Sequence, residues 1–301
     1  MAYSNISKLC LVLVGALGVF QSATPATAHI APATLVLPPR SEELQAGLEK
    51  VLARAPFRDL VRRGLLSVSL VDLTDPGTVR YAGVDDDHMR YAASLPKIGI
   101  LLGLFDQIDR GTIPYTPELR HRVERMIRHS NNAESTALLR LIGFEAVAAT
   151  LEDPRYQLYS RERNGGIWVG RDYGGWIGLW RRDPLHGISH GATTRQVARF
   201  FVMLDQDRLV SPWACAEMKR VLGESEIHHK FVLGLERERP GSRIYRKSGT
   251  WKNWHADAAL VERDGKKYVA VALLESPTGG KVLPKLIVGL DDLIPPAPPL
   301  E

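Results

Sequence analysis

Alternating, β-branched segments stand near the two ends of this chain, and most of what lies between them follows helical spacing. Residues 65–73 and 79–83 read as an early strand pair, and 243–250, 256–262 and 267–274 as three late strands. Asp264-Gly265 predicts a tight hairpin turn between the last two. Both groups of strands fit one antiparallel sheet, with the helical block between them set aside as a second lobe. An amphipathic helix from Ser41 to about Ala55 carries Leu44, Leu48, Val51 and Leu52 on one face, and 283–293 closes the chain as another. Inside the block, helices are expected over 95–107, after the Thr116-Pro117 cap, over 133–151 as one or two pieces, and over 194–206 and 212–222. The fold class is therefore α+β, an antiparallel sheet flanked by terminal helices with an inserted all-helical lobe.

Residues 153–192 break this pattern. The stretch is rich in Gly, Trp, Tyr and Arg and has little periodicity, and a loop that long inside a domain is usually functional. At the N-terminus, Lys8, the apolar run 9–20 and Ala26-Thr27-Ala28 predict an export signal over 1–28, with an uncleaved anchor as the alternative. A Pro- and Ala-rich mobile linker over 29–40 and a folded domain over 41–301 follow. Export would place the protein in the periplasm or outside the cell. Cys10 would leave with the signal, so Cys215 alone remains and no internal disulfide is expected.

The formal net charge of +5 comes from scattered basic residues without interleaved aromatics, which argues against a nucleic-acid partner. The densest basic run, Arg120, His121, Arg122, Arg125, Arg128 and His129, reads as a solvated helix face.

Chemistry enters at Ser94. A serine is a weak nucleophile until a base takes its proton. Lys97, three positions on at a predicted helix start, is one turn away. Two further elements follow in order: Ser130-Asn131-Asn132 between two helices, and Lys247-Ser248-Gly249-Thr250 at the end of a late strand. This ordered set resembles that of class A β-lactamases and penicillin-binding proteins. Residues 130–144 also resemble the helix that follows the second motif in class A enzymes. The resemblance covers nearly all of 41–301 and implies the serine β-lactamase/transpeptidase-like fold.

It also implies roles. Ser94 would be acylated, Lys97 would accept its proton, and Ser130, polarised by Lys247, would protonate the leaving nitrogen. Amides of Ser94 and Thr250 would form the oxyanion hole. Asn132 would hold the substrate's amide side chain, Ser248 and Thr250 would meet its carboxylate, and Gly249 would let the substrate backbone approach. No cofactor or metal is implied, and the partner is a small molecule or peptide, a β-lactam or peptidoglycan-like amide, met by a monomer.

The pattern departs in the loop. Class A enzymes carry a water-positioning glutamate there, held by an asparagine on the second-motif helix. Here Arg181-Arg182-Asp183-Pro184 takes the loop position, and Thr136 the asparagine's. Asp183 is a candidate replacement base, and a structural ion pair with Arg181 or Arg182 is the other reading. His186 and His190 are further candidates, and Trp168, Trp176 and Trp180 pack the loop or wall a pocket. Ser130 follows Ser94 by only 36 positions, which trims the lobe wall between them. Asp257 stands where class A enzymes often place a carboxylate-binding arginine. The leading reading is hydrolysis of β-lactams through acyl-Ser94. The alternatives are a D-Ala-peptidase-like or other amide or ester hydrolase with slow deacylation, and a non-catalytic domain binding cell-wall fragments.

Overall fold

A computed structural model describes Met1, residues 35–174 and residues 178–297. Residues 2–28 of the expected export signal, residues 29–34 of the linker and Trp176 lie outside these residues. The chain leads with helices α1 (Glu42–Leu52) and α2 (Phe57–Arg62), then strands β1 (Leu66–Asp72), β2 (Arg80–Val84) and β3 (Arg90–Tyr91). Helices α3 (Lys97–Asp109), α4 (Pro117–Arg128), α5 (Asn132–Ile142) and α6 (Phe144–Glu152) follow. The long loop carries four short strands, β4 (Tyr159–Ser160), β5 (Gly165–Gly166), β6 (Trp168–Val169) and β7 (His190–Ala192). Helices α7 (Thr194–Asp205), α8 (Pro212–Leu222) and α9 (Phe231–Glu238) lead into β8 (Arg243–Trp251), β9 (Trp254–Arg263) and β10 (Lys266–Glu275). Helix α10 (Gly279–Asp291) ends the order.

The early and late strands share one antiparallel sheet, in the order β2-β1-β10-β9-β8, with Leu66 opposite Leu274. The β9–β10 turn runs through Asp264 and Gly265 at φ of 47° and 74°, the backbone that the Asp-Gly pair predicts. Strand β1 is buried along its whole length because both sheet faces are covered. Its Leu66, Val68 and Leu70 pack with α1 and α10 through Leu44, Leu48, Leu283 and Leu286. Each such leucine contributes about 2 kcal/mol by leaving water. Val71 faces the other core, shared with the apolar stripe of α3 and with Phe200 of α7. The serines of β1 are buried but satisfied: Ser69 donates to Thr194 Oγ1 at 2.9 Å, tying the sheet to α7.

Three features differ from expectation. Residues 35–40, placed in a mobile linker, are held to the body. Leu37 is buried, Arg199 donates to the Leu35 carbonyl at 2.8 Å, and Arg40 pairs with Asp86 at 2.6 Å. Helices α2 and α9 were not legible, being too short for periodicity to show. The aperiodic loop is tied down by β7, which pairs with β3 at Tyr91–Gly191 and with β6 at Val169–His190. The Ala92 amide then donates to the His190 carbonyl at 2.8 Å, which seats the loop against the Ser94 turn.

Candidate active site

Ser94 lies in the tight turn that opens α3. The Lys97 amide donates to the Ser94 carbonyl at 3.3 Å and the Gly99 amide to the Pro96 carbonyl at 2.8 Å. Ala93, just before it, is held at φ 50°, and Ser130 at φ 54°. Such backbone is costly for residues with a Cβ and is typical of functional sites. Asn131 caps α5, its side chain accepting from the Glu134 amide at 2.9 Å, and this leaves Asn132 as the first residue of that helix.

Side chains from three remote pieces of chain converge on Ser130. Lys247 Nζ donates to Ser130 Oγ at 2.9 Å and to the Ser248 carbonyl at 2.9 Å. Lys97 Nζ donates to the Ser130 carbonyl at 2.6 Å and to Asn132 Oδ1 at 2.8 Å, and lies 3.3 Å from Ser130 Oγ. Both lysines are buried, with no carboxylate among these hydrogen-bond partners. Burial pushes Lys97 down to about 7. Burial and then the neighbouring Lys97 and Arg246 charges push Lys247 well below its ordinary value. A neutral Lys97 amine has two N–H bonds for its two short acceptors, and its lone pair is left over to take a proton.

Ser94, Asn132 and Thr250 border one cavity of about 440 Å³, together with Tyr91, Tyr173 and His190. Lys97, Ser130 and Lys247 are not among its lining residues and are joined to it through the hydrogen bond from Lys97 to Asn132. Gly249 serves this geometry. A Cβ there would lie 2.2 Å from the Ala92 carbonyl and 2.8 Å from the Ser94 amide nitrogen. Its bareness lets β8 press against the turn that carries Ser94. Ser248, expected to meet the substrate, is buried and does not border the cavity.

Asp183 is also placed differently. It does not border the cavity, and its buried carboxylate accepts from Tyr159 Oη at 2.9 Å and from the amides of Leu185, His186 and Ile188. It closes a turn of the loop, which corrects the expectation that it serves as the base. Neither arginine pairs with it. Arg181 stacks over Trp168 and Trp180, and Arg182 donates to the Gly187 carbonyl. Trp168 and Trp180 pack the loop against Phe144 of α6. His186 meets the Asn164 carbonyl outside the cavity.

The residue that sequence reasoning missed is Tyr173. Thr136, the position expected to hold the loop's base, accepts from the Tyr173 amide and donates to its carbonyl, both at 2.9 Å. The Tyr173 ring lies 4.7 Å from Lys97 Nζ and 4.2 Å from the His190 ring. Burial raises its phenol well above the ordinary range, so it stays neutral. His190 is pushed down to about 4, chiefly by burial, and is neutral too. The signal available was Arg171-Asp172-Tyr173, an Arg-x-residue element earlier in the loop than the one chosen. The one carboxylate bordering the cavity among the described residues, Asp172, is paired with Arg140.

The model of the beta-lactamase enzyme family matches residues 112–289, more than half of the chain. The chain belongs to the beta-lactamase enzyme family. No curated protein matches its sequence. Among solved structures, a beta-lactamase from Sphaerobacter thermophilus DSM 20745 is 17% identical with a TM-score of 0.65, covering 83% of this chain and 98% of its own. A beta lactamase from Xanthomonas campestris pv. campestris str. ATCC 33913 is 16% identical with a TM-score of 0.66, covering 83% and 98%. A mutant of PBP-A, solved as an acyl-enzyme complex with penicillin G, is 19% identical with a TM-score of 0.64, covering 85% and 97%. These likenesses show that this member of the beta-lactamase family has the class A β-lactamase and penicillin-binding protein fold.

Proposed function

We propose that the protein is a serine hydrolase that opens β-lactam amides through an acyl-Ser94 intermediate and releases the acyl group slowly. The observation that carries the reading is the Ser130 hydroxyl held between two buried lysine amines, 2.9 Å from Lys247 and 3.3 Å from Lys97. Neutral Lys97 takes the Ser94 proton as Oγ adds to the amide carbonyl. The oxyanion is met by the amides of Ser94 and Thr250. The C–N bond breaks as Ser130 passes its proton to the nitrogen and is reprotonated from the lysine pair. A purely binding domain would leave both amines without a task.

Slow release is favoured by Tyr173. Hydrolysis of an acyl-serine needs a base to activate water, and the position facing Lys97 is filled by a neutral phenol. A persistent adduct also suits a D-Ala-peptidase-like enzyme, which meets β-lactams as mimics of its own peptide. The export pattern of residues 1–28 would put this activity beyond the inner membrane. Intact-mass spectrometry after incubation with benzylpenicillin tests the reading. One adduct per chain is expected, persisting over minutes and absent in Ser94→Ala. An unlabelled wild-type chain would sink the proposal.

A further inference from the structure

The two ring nitrogens of His190 are used unequally. Its strand, β7, lies against the Ser94 turn, with the His190 carbonyl accepting from the Ala92 amide at 2.8 Å. The residue is buried and borders the cavity together with Ser94 and Ser189. Nε2 stands 3.0 Å from the Arg171 carbonyl, which can only accept, so Nε2 carries the proton of the neutral ring. Nδ1 is left with its lone pair, and the Ser189 hydroxyl reaches it only at 3.5 Å, the outer limit of a hydrogen bond. An imidazole whose hydrogen is fixed on one side by a backbone carbonyl presents a base on the other.

The surroundings suit a water molecule at that base. The Tyr173 ring lies 4.2 Å from the imidazole and the Tyr91 ring 6.3 Å, both phenols kept neutral by burial. Tyr173 Oη is buried without a hydrogen-bond partner, a state that a small polar molecule beside it would relieve. Among the described residues, no free carboxylate competes for the water's proton, because Asp172 is tied to Arg140. Lys97 is committed to the other half of the cycle. Its short bonds go to the Ser130 carbonyl and Asn132 Oδ1, and the proton that it captures moves on through Ser130.

We propose that His190 is the catalytic base of acyl-enzyme hydrolysis, taking a proton at Nδ1 from a water seated between the ring and the Ser94 ester. The inference rests on the acyl-Ser94 reading and supplies its second half. The water oxygen adds to the ester carbonyl carbon as its proton passes to Nδ1. The C–Oγ bond then breaks and the proton passes from Nδ1 to Ser94 Oγ. The free acid leaves, with serine and neutral imidazole restored. The base is weak. A ring pushed down to about 4 is unprotonated at neutral pH but holds a proton poorly, which accounts for slow release.

The test follows formation and decay of the benzylpenicillin adduct separately by intact mass, decay being read after free drug is removed. His190→Gln keeps a donor for the Arg171 carbonyl and lacks a basic nitrogen. It should form the adduct within about twofold of the wild-type rate and lose it about a hundredfold more slowly, the low end for a positioned base. Should that variant fail to fold, the pH profile of the wild type decides. Decay should stay level from about pH 5.5 to 8, where Nδ1 remains unprotonated, while formation falls below 7 with Lys97. Around the ring, Tyr91 and Tyr173 stay neutral over this range and Arg171 stays charged as arginines do. Lys97 alone changes, and its charge only opposes protonation of Nδ1. Unchanged decay in His190→Gln, or formation and decay slowed alike, would overturn the proposal. So would a wild-type decay that falls through pH 7 in step with formation, which gives the base to Lys97. A wild-type adduct that never decays also overturns it and leaves acylation in place. A wild type that forms no adduct removes the acyl-Ser94 reading itself, and this inference with it.

Discussion

The two walls of the cleft are held by different kinds of bond. On the α3, α5 and β8 side, functional groups meet side chain to side chain, with Lys97, Ser130, Asn132 and Lys247 joined at 2.8–3.3 Å. On the loop side, Thr136 holds Tyr173 by its backbone, Asp183 is used up on amides, and Asp172 is taken by Arg140. On the reading proposed above, the first wall supplies the bond-making to Ser94. Among the described residues, the second lacks a free carboxylate to direct water. The two halves of an acyl-transfer cycle can therefore diverge independently, because different segments build them.

The largest effect should come from removing the base of the first wall. Lys97→Met is expected to slow formation of the penicillin adduct about a thousandfold, the usual scale for a general base. Loss of less than about tenfold would assign proton removal elsewhere, to Lys247 or to solvent. The same wall sets the pH dependence. Lys97 acts neutral and its folded value is about 7, so acylation should fall as pH drops through 7 and level off above it. The apparent midpoint belongs to the Lys97–Lys247 pair, since each charge opposes the other. A flat profile from pH 5 to 8 would mean that neither amine changes state in the step.

The second wall is sharpened by Tyr173→Glu. A carboxylate beside Lys97 and a neutral His190 should shorten the lifetime of the adduct about tenfold or more, the contribution of a positioned base. Adduct formation should slow as well at neutral pH, because a charge where the ring now lies 4.7 Å from Lys97 Nζ favours the protonated amine and leaves less of it neutral. An unchanged lifetime would move the cause of slow release away from this residue.

The contrast between the walls is also the contrast between what could and could not be read beforehand. Ser94, Lys97, Ser130 and Lys247 were legible because their chemistry demands particular side chains at particular spacings, and the strand pattern told where each would sit. The one-sheet architecture was legible for the same reason, since alternation marks β1 and the three late strands equally. Tyr173 was not, because Thr136 grips an amide and a carbonyl that every residue owns. The loop's register was instead taken from a proline, which selected Asp183. Lys230 escaped notice as a lone lysine outside any motif. Its hydrogen bonds to the Gly249 carbonyl, Thr250 Oγ1 and the Ala256 carbonyl appear only when β8 and β9 bring these groups around it.

Asp183 gives the smallest and most discriminating effect. Its carboxylate accepts from a phenol and three amides in a buried turn, and Asp183→Ala leaves those donors short of partners. Unsatisfied buried donors of this kind cost about 2 kcal/mol. For a domain of this size that is a Tm drop of about 4–8 °C. If Asp183 were the hydrolytic base, the adduct's lifetime would lengthen by orders of magnitude. If its work is to shape the loop, the lifetime measured well below Tm should stay within about twofold, as for sites that share no partner. Measuring melting and adduct decay on the same variant separates the two, because a base and a turn-former fail in different observables.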